Sequence, residues 1–238
     1  MANQDSISNI AVDLLARVRW EQENGCPGYE HQPEPPAESG ETLSRQGNTR
    51  LTLTTLNEEI GDCTRCDLHR GRNNLVFGEG SEKARLVFVG EGPGRDEDLA
   101  GRPFVGAAGQ LLDKIIAAMG LARKSVYICN VVKCRPPNNR VPGDEERRIC
   151  GQFLKRQLTI LKPDIVVALG GTAAQYLLGR DEPLGKLRGR FHKVDDLTIM
   201  PTYHPAYLLR NPSGKRPVWE DMQMVMAALG LPTNIERQ

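Results

Sequence analysis

Cys63 and Cys66 form a C-x2-C pair, and Cys134 and Cys150 follow with 15 residues between them. A tight C-x2-C turn can present two thiolates to one metal centre, and two more from other segments complete a set of four. Four thiolates suit zinc or an iron–sulfur cluster. Zinc sites more often use two such knuckles. The two isolated later cysteines therefore favour a [4Fe–4S] cluster, with zinc as the alternative. Spacing alone also fits four unconnected buried thiols. Cys129 sits inside an apolar strand pattern and reads as core, and Cys26 reads as a free thiol without a role.

A second reactive stretch runs from Leu86 to Leu112. An apolar run, Leu86 to Val89, ends at the turn Gly92-Pro93-Gly94. The acids Asp96, Glu97 and Asp98 follow, then Gly101-Arg102-Pro103-Phe104, then an apolar helical pattern opening at Gly109. A strand that empties into a Gly-rich turn and a helix is where open α/β sheets place ligands. No G-x-G-x-x-G leads straight into a helix, and no Gly-Lys-Ser/Thr follows. The stretch is therefore neither a dinucleotide fingerprint nor a phosphate-binding P-loop.

The elements that position these residues alternate. Helical patterns cover Thr54 to Ile60, Gln110 to Met119, Gly143 to Leu161, Thr172 to Leu178 and Val218 to Leu229. Strand patterns cover Leu86 to Val89, Val126 to Val132, Ile165 to Leu169 and Leu197 to Pro201. Alternation of this kind predicts an α/β fold with a parallel sheet covered on both faces. The segments after the four strands then share one rim. They carry Glu91 to Phe104, Asn130 to Arg140, Gly170-Gly171 and His204 to Arg210.

Residues 1 to 48 read differently. Ile10 to Trp20 has the spacing of an amphipathic helix, and Pro27 to Gly47 has the composition of a flexible linker. The folded domain is expected over 49–238. Lys plus Arg number 31 against 30 for Asp plus Glu, so a nucleic-acid binder with this balance must concentrate its cations on one face. No apolar run reaches the roughly 18 residues of a membrane span, and no signal-peptide core is present. The expectation is a cytoplasmic monomer with no membrane partner.

Gly90-Glu-Gly-Pro-Gly94, Gly101-Arg-Pro-Phe-Val-Gly106, Asn130-Val-Val-Lys-Cys-Arg-Pro-Pro137 and His204-Pro-Ala-Tyr-Leu-Leu-Arg210 occur in that order, interleaved with the four cysteines. Over roughly Leu53 to Leu229 the chain resembles the family 4, iron–sulfur uracil-DNA glycosylases. The resemblance implies a three-layer α/β/α sandwich around a four-stranded parallel sheet and a [4Fe–4S] cluster on Cys63, Cys66, Cys134 and Cys150. It also implies monofunctional excision of uracil from single- or double-stranded DNA in base excision repair.

Residue by residue, the resemblance implies that Phe104 stacks on the flipped uracil. The Asn130 carboxamide accepts from uracil N3–H and donates to O4, a pattern that cytosine reverses. His204 and the Gly92 N–H donate to uracil O2, where charge develops as the base leaves. Leu208 or Leu209 enters the minor groove, with Arg210 on phosphate or in the gap. Lys133, close to Asn130 and with no lyase role identified, is itself read as a phosphate contact. Better-known uracil-DNA glycosylases carry a water-positioning acid where this chain has Gly92, and family 4 proteins usually have alanine. The water is therefore assigned to Glu97, with Glu91 lining the pocket near uracil C5.

A related branch traps DNA through a histidine in Arg-Arg-Ile-His. Here Arg147-Arg-Ile-Cys150 ends in cysteine, so turnover is expected. The missing acid at Gly92 favours one alternative, a non-catalytic iron–sulfur module that binds damaged or single-stranded DNA. A small-molecule hydrolase or nucleotide binder on the same fold is a further one.

Overall fold

The computed structural model describes residues 51–233. The helix expected over Ile10 to Trp20, the linker, Cys26 and His31 lie outside the described residues. Strand β1 covers Glu79–Gly80, β2 Leu86–Gly90, β3 Tyr127–Asn130, β4 Ile165–Leu169, β5 His192–Val194 and β6 Leu197–Thr202. The α-helices are α1 (Leu53–Ile60), α2 (Arg95–Ala100), α3 (Ala107–Ala118), α4 (Asp144–Leu161), α5 (Gly171–Leu178), α6 (Leu184–Leu187), α7 (Pro205–Arg210) and α8 (Lys215–Ala228).

The strands form one sheet in the order β1-β3-β2-β4-β6-β5. The four central strands pair in parallel, as expected, and are the four that sequence patterning located. Two short strands, β1 and β5, add antiparallel edges, so the sheet has six strands rather than four. Elements of two or three residues are too short to show an alternating pattern.

Side chains alternate across β2 and sort the layers. Val87 and Val89 face one core with Leu154, Leu158 and Leu161 of α4, Ala173, Ala174, Leu177 and Leu178 of α5 and Leu187 of α6. Leu86 and Phe88 face the other with Leu112 and Ile116 of α3, Leu208 of α7 and Val218, Met222, Val225 and Met226 of α8. The result is the expected three-layer α/β/α sandwich.

Local signals set the helix ends. Thr52 caps α1 in a reciprocal pair with Thr55. Asp144, Glu145 and Glu146 open α4 at the positive end of its dipole, and Lys162 closes it in the left-handed conformation before Pro163. Leaving β2, the chain enters β3 on one side and β4 is built on the other. The crevice beyond the carboxyl ends of β2 and β4 is thus the switch point of the sheet. Among the described residues, no helix is long and apolar enough to cross a membrane.

Candidate active site

A cleft of about 460 Å³ opens at this switch point. It is lined by Glu91, Gly92, Glu97, Phe104, Asn130, Tyr207, His204 and Arg210 among others. The residues expected from the four motifs therefore converge, although they come from four separate segments. A larger open groove of about 1000 Å³ between α4 and α5 contains none of them.

The floor of the cleft is Asn130. It ends β3, is 1% exposed, and its Oδ1 has no hydrogen-bond partner. An unpartnered buried carbonyl costs about 1–3 kcal/mol, which a ligand N–H can recover. Gly90, the register partner of Asn130, makes the floor possible. A Cβ there would stand 2.4 Å from Asn130 Oδ1 and 2.6 Å from Phe104 Cζ.

Phe104 is buried and holds φ at +51°, a left-handed conformation that costs a phenylalanine about 1–3 kcal/mol. Several contacts keep it there. Arg123 donates to the carbonyls of Phe104 (3.1 Å) and Pro103, and is itself held by Asp113 (2.7 Å) and Glu79 (2.8 Å). A Cβ on Gly109 would lie 1.9 Å from the Phe104 oxygen, so only glycine admits this turn. The ring that results stands 5.5 Å from the His204 ring, tilted by 31°.

His204 caps α7, its Nδ1 accepting from the Ala206 N–H at 3.1 Å. A nitrogen that accepts carries no proton, so the neutral ring holds its hydrogen on Nε2. Burial pushes the His204 pKa down to about 4; nearby Glu97 pulls it up and Arg210 pushes it further down. The imidazole is therefore a neutral donor at physiological pH.

Of the three acids, only Glu97 reaches the cleft. Its Oε1 accepts from the N–H groups of Val105 and Gly106 at 2.9 Å each, at the start of α3. Asp98 is buried and accepts from the Asn73 and Asn74 amides (2.9 and 3.3 Å), and Asp96 is exposed. Glu91 lines the cleft and accepts from the Thr172 hydroxyl. Gly92 is fitted to its neighbour, since a Cβ there would fall 2.7 Å from Val132 Cγ2.

Two expected DNA contacts are corrected. Leu208 is 1% exposed and packs in the core under α7, so it has no free surface for DNA, whereas Leu209 is 49% exposed. Lys133 is fully buried, its ammonium donating to the Asn130 carbonyl at 2.8 Å and Gln157 Oε1 at 2.6 Å. It braces the floor of the cleft and cannot reach a phosphate. His69 and His192 bond the backbone carbonyls of Cys66 and Leu187 and play no part in the cleft.

The five described cysteines form no disulfide with one another. Cys63, Cys66, Cys134 and Cys150 are close enough to sense one another: burial first, and then the charges of Cys63 and Cys66, raise the pKa of Cys134, and burial first, then the charges of Cys134 and Cys66, raise that of Cys150. Burial is the main cause, pushing the Cys66 and Cys134 thiols up and Cys150 to about 12. N–H donors already point at three of the sulfurs: Arg65 at Cys63 (3.3 Å), Arg72 at Cys134 (3.2 Å) and the Lys133 amide at Cys150 (3.2 Å). Such a set fits a group that brings positive charge to four thiolates. Among the described residues, no three ligand side chains are already drawn around a single ion. Cys129 is buried in the core, as expected.

The family model described as "Uracil DNA glycosylase superfamily" matches residues 77–223. The chain belongs to the uracil-DNA glycosylase superfamily. A type-4 uracil-DNA glycosylase of Thermotoga maritima is 50% identical over 177 residues, covering 72% of this chain and 91% of the relative. One from Archaeoglobus fulgidus is 43% identical over 182 residues, covering 73% and 92%. One from Saccharolobus solfataricus is 41% identical over 186 residues, covering 74% and 86%.

Within this superfamily frame, sequence reasoning missed Gly90, Arg123 and Tyr207. Gly90 and Arg123 act through backbone geometry, which no local pattern announces. Tyr207 lies inside the His204 to Arg210 motif, but six residues of helix hold too little periodicity to single it out.

Proposed function

We infer that the protein is a monofunctional uracil-DNA glycosylase of DNA repair, hydrolysing the N-glycosidic bond of uracil in DNA. The buried, unpartnered Asn130 Oδ1 at the floor of the cleft carries this reading most directly. It suits an N–H such as uracil N3–H, and the Phe104 ring beside it suits a flat base. Cytosine has an unprotonated N3 and would leave that oxygen orphaned.

In the reaction, the C1′–N1 bond breaks and uracil departs with the electron pair. His204 donates from Nε2 toward O2, and the Gly92 N–H is assigned the same oxygen. Donors fixed in a dry site stabilise charge as it develops, and loss of one typically costs about 10²–10³ in rate. Water attacks C1′, and the proton it loses is taken up through solvent by the departing uracil anion. Glu97 is assigned to position that water through Oε2, since Oε1 is spent on two amides. Glu91, tied to Thr172, is placed near uracil C5. Leu209 and Arg210 contact the DNA, which is single- or double-stranded.

Cys63, Cys66, Cys134 and Cys150 are proposed to hold a [4Fe–4S] cluster. Zinc sites more often use two C-x2-C knuckles, and the isolated positions of Cys134 and Cys150 therefore favour the cluster over zinc. When bound, the cluster would supply the positive charge that these thiolates lack. It would also tie the turn after α1 to the loop after β3 and to α4.

Uracil release from a labelled deoxyuridine oligonucleotide, enzyme-limiting and followed by alkaline cleavage, tests the activity. Many turnovers are expected. Tight binding without release would favour the non-catalytic module.

A further inference from the structure

We propose that Tyr207 is a stacking platform for the DNA base next to the extruded uracil, with Arg210 beside it for the phosphate chain. The proposal rests on the glycosylase reading of the cleft. Extruding a nucleotide strips one stacking partner from each neighbouring base. An aromatic side chain can take the vacated place, and such contacts are tolerant of sequence.

Helical phase sets which residues of α7 can meet DNA. Leu208 points into the core, and Ala206, Tyr207 and Arg210 line the cleft. Tyr207 and Arg210 are three residues apart and so share a face. Leu209, though exposed, is not part of the lining. At the mouth of the cleft the aromatic ring is therefore Tyr207, which is 40% exposed. Arg210 makes no ion pair among the described residues.

The Tyr207 ring is also held in place. It stacks on Tyr203, with centroids 4.9 Å apart and planes 26° apart. The Arg188 guanidinium lies 5.0 Å from the Tyr203 ring centroid. Arg188 is fixed in turn by Asp221 (2.9 Å) and the Pro217 carbonyl (2.7 Å), and buried Asp221 accepts from Thr202 at 2.6 Å. Gly214 leaves room for the pile, since a Cβ there would stand 3.2 Å from Tyr207 Cε1. Arg188, Tyr203 and Tyr207 thus form a stack whose outermost member is partly exposed at the cleft. A ring fixed in advance loses little entropy on binding. Leu208 already anchors α7, so a half-exposed aromatic is not needed for packing.

The test is a deoxyuridine duplex with 2-aminopurine beside the uracil, read by fluorescence and uracil release on mixing. In the wild type, Tyr207→Phe and Tyr207→Trp, the 2-aminopurine should stay quenched. In Tyr207→Leu it should brighten, and KM should rise about 5- to 150-fold, the equivalent of about 1–3 kcal/mol of lost stacking. The single-turnover rate at saturation should change less than KM. Equal brightening in wild type and Tyr207→Leu, or an unchanged KM, overturns the platform. If Tyr207→Leu melts early, the ring-retaining proteins decide alone, and brightening in all of them overturns it. Quenching without uracil release would sink the glycosylase reading and leave the platform standing.

Discussion

Asn130 and Cys134 are four residues apart, yet they belong to two regions of opposite character. The cleft around Asn130 is already built: Phe104 is clamped, His204 is fixed in one neutral tautomer, and one buried oxygen lacks a donor. The group around Cys134 is four thiols drawn from three segments. Its thiols are pushed up by burial and by one another, and N–H donors wait on three sulfurs. The cleft offers a buried acceptor to a flat N–H donor, whereas the four thiols are proposed to hold a cluster. Lys133 lies between them, its ammonium on the Asn130 carbonyl and its amide on Cys150.

The sharpest way to break this contrast is to damage one site alone. Gly90→Ala puts a methyl 2.4 Å from Asn130 Oδ1. Single-turnover kcat/KM should fall by about 100-fold or more, the usual result of moving a catalytic geometry by about an ångström. Visible absorbance from a cluster should be unaffected; its loss would show that the sites are not separable. The converse damage is Cys150→Ser. It should abolish that absorbance and lower the melting temperature by roughly 10 °C, given about 2–4 °C per kcal/mol for a domain of this size. Full retention of both would remove Cys150 from the ligand set.

Two neighbouring leucines sharpen the comparison further. Leu208→Ala should destabilise by about 2–5 kcal/mol, as for other buried leucines, seen in denaturant unfolding. Leu209→Ala should change stability by no more than about 0.5 kcal/mol and act on DNA affinity instead.

The smallest effect is on pH. The His204 pKa is near 4 in the folded protein and lies below its ordinary value of 6.5. Between those values the unfolded chain binds the extra proton, so His204 makes stability fall as pH drops from about 6.5 to 4. Activity should show no loss from His204 protonation until pH approaches about 4. An activity loss with a midpoint near 6.5 that His204→Gln abolishes would contradict the neutral donor.

Much of this was legible because patterns of the right length carry it. The four parallel strands are apolar runs of four to six residues, and the rim residues follow from where those runs end. Cys63 and Cys66 are legible from local spacing. Leu208 and Leu209 were not separable, because six residues of α7 hold too little periodicity to fix a phase. Lys133 read as a phosphate contact because burial of an ammonium is invisible in sequence; the carbonyl and amide that satisfy it come from β3 and α4. Glycine at position 92 looked like a defect. In the fold it matches Val132, whose methyl fills the space that a side chain would need.

The most direct measurement compares wild type and Asn130→Ala on oligonucleotides carrying deoxyuridine or deoxycytidine at the same position. Wild type should release uracil over many turnovers and no cytosine. Asn130→Ala should lose about 100-fold or more in kcat/KM on deoxyuridine, because a site built to hydrogen-bond its substrate loses its discrimination with that group. Uracil release by Asn130→Ala at the wild-type rate, or binding by wild type without any release, would contradict the account.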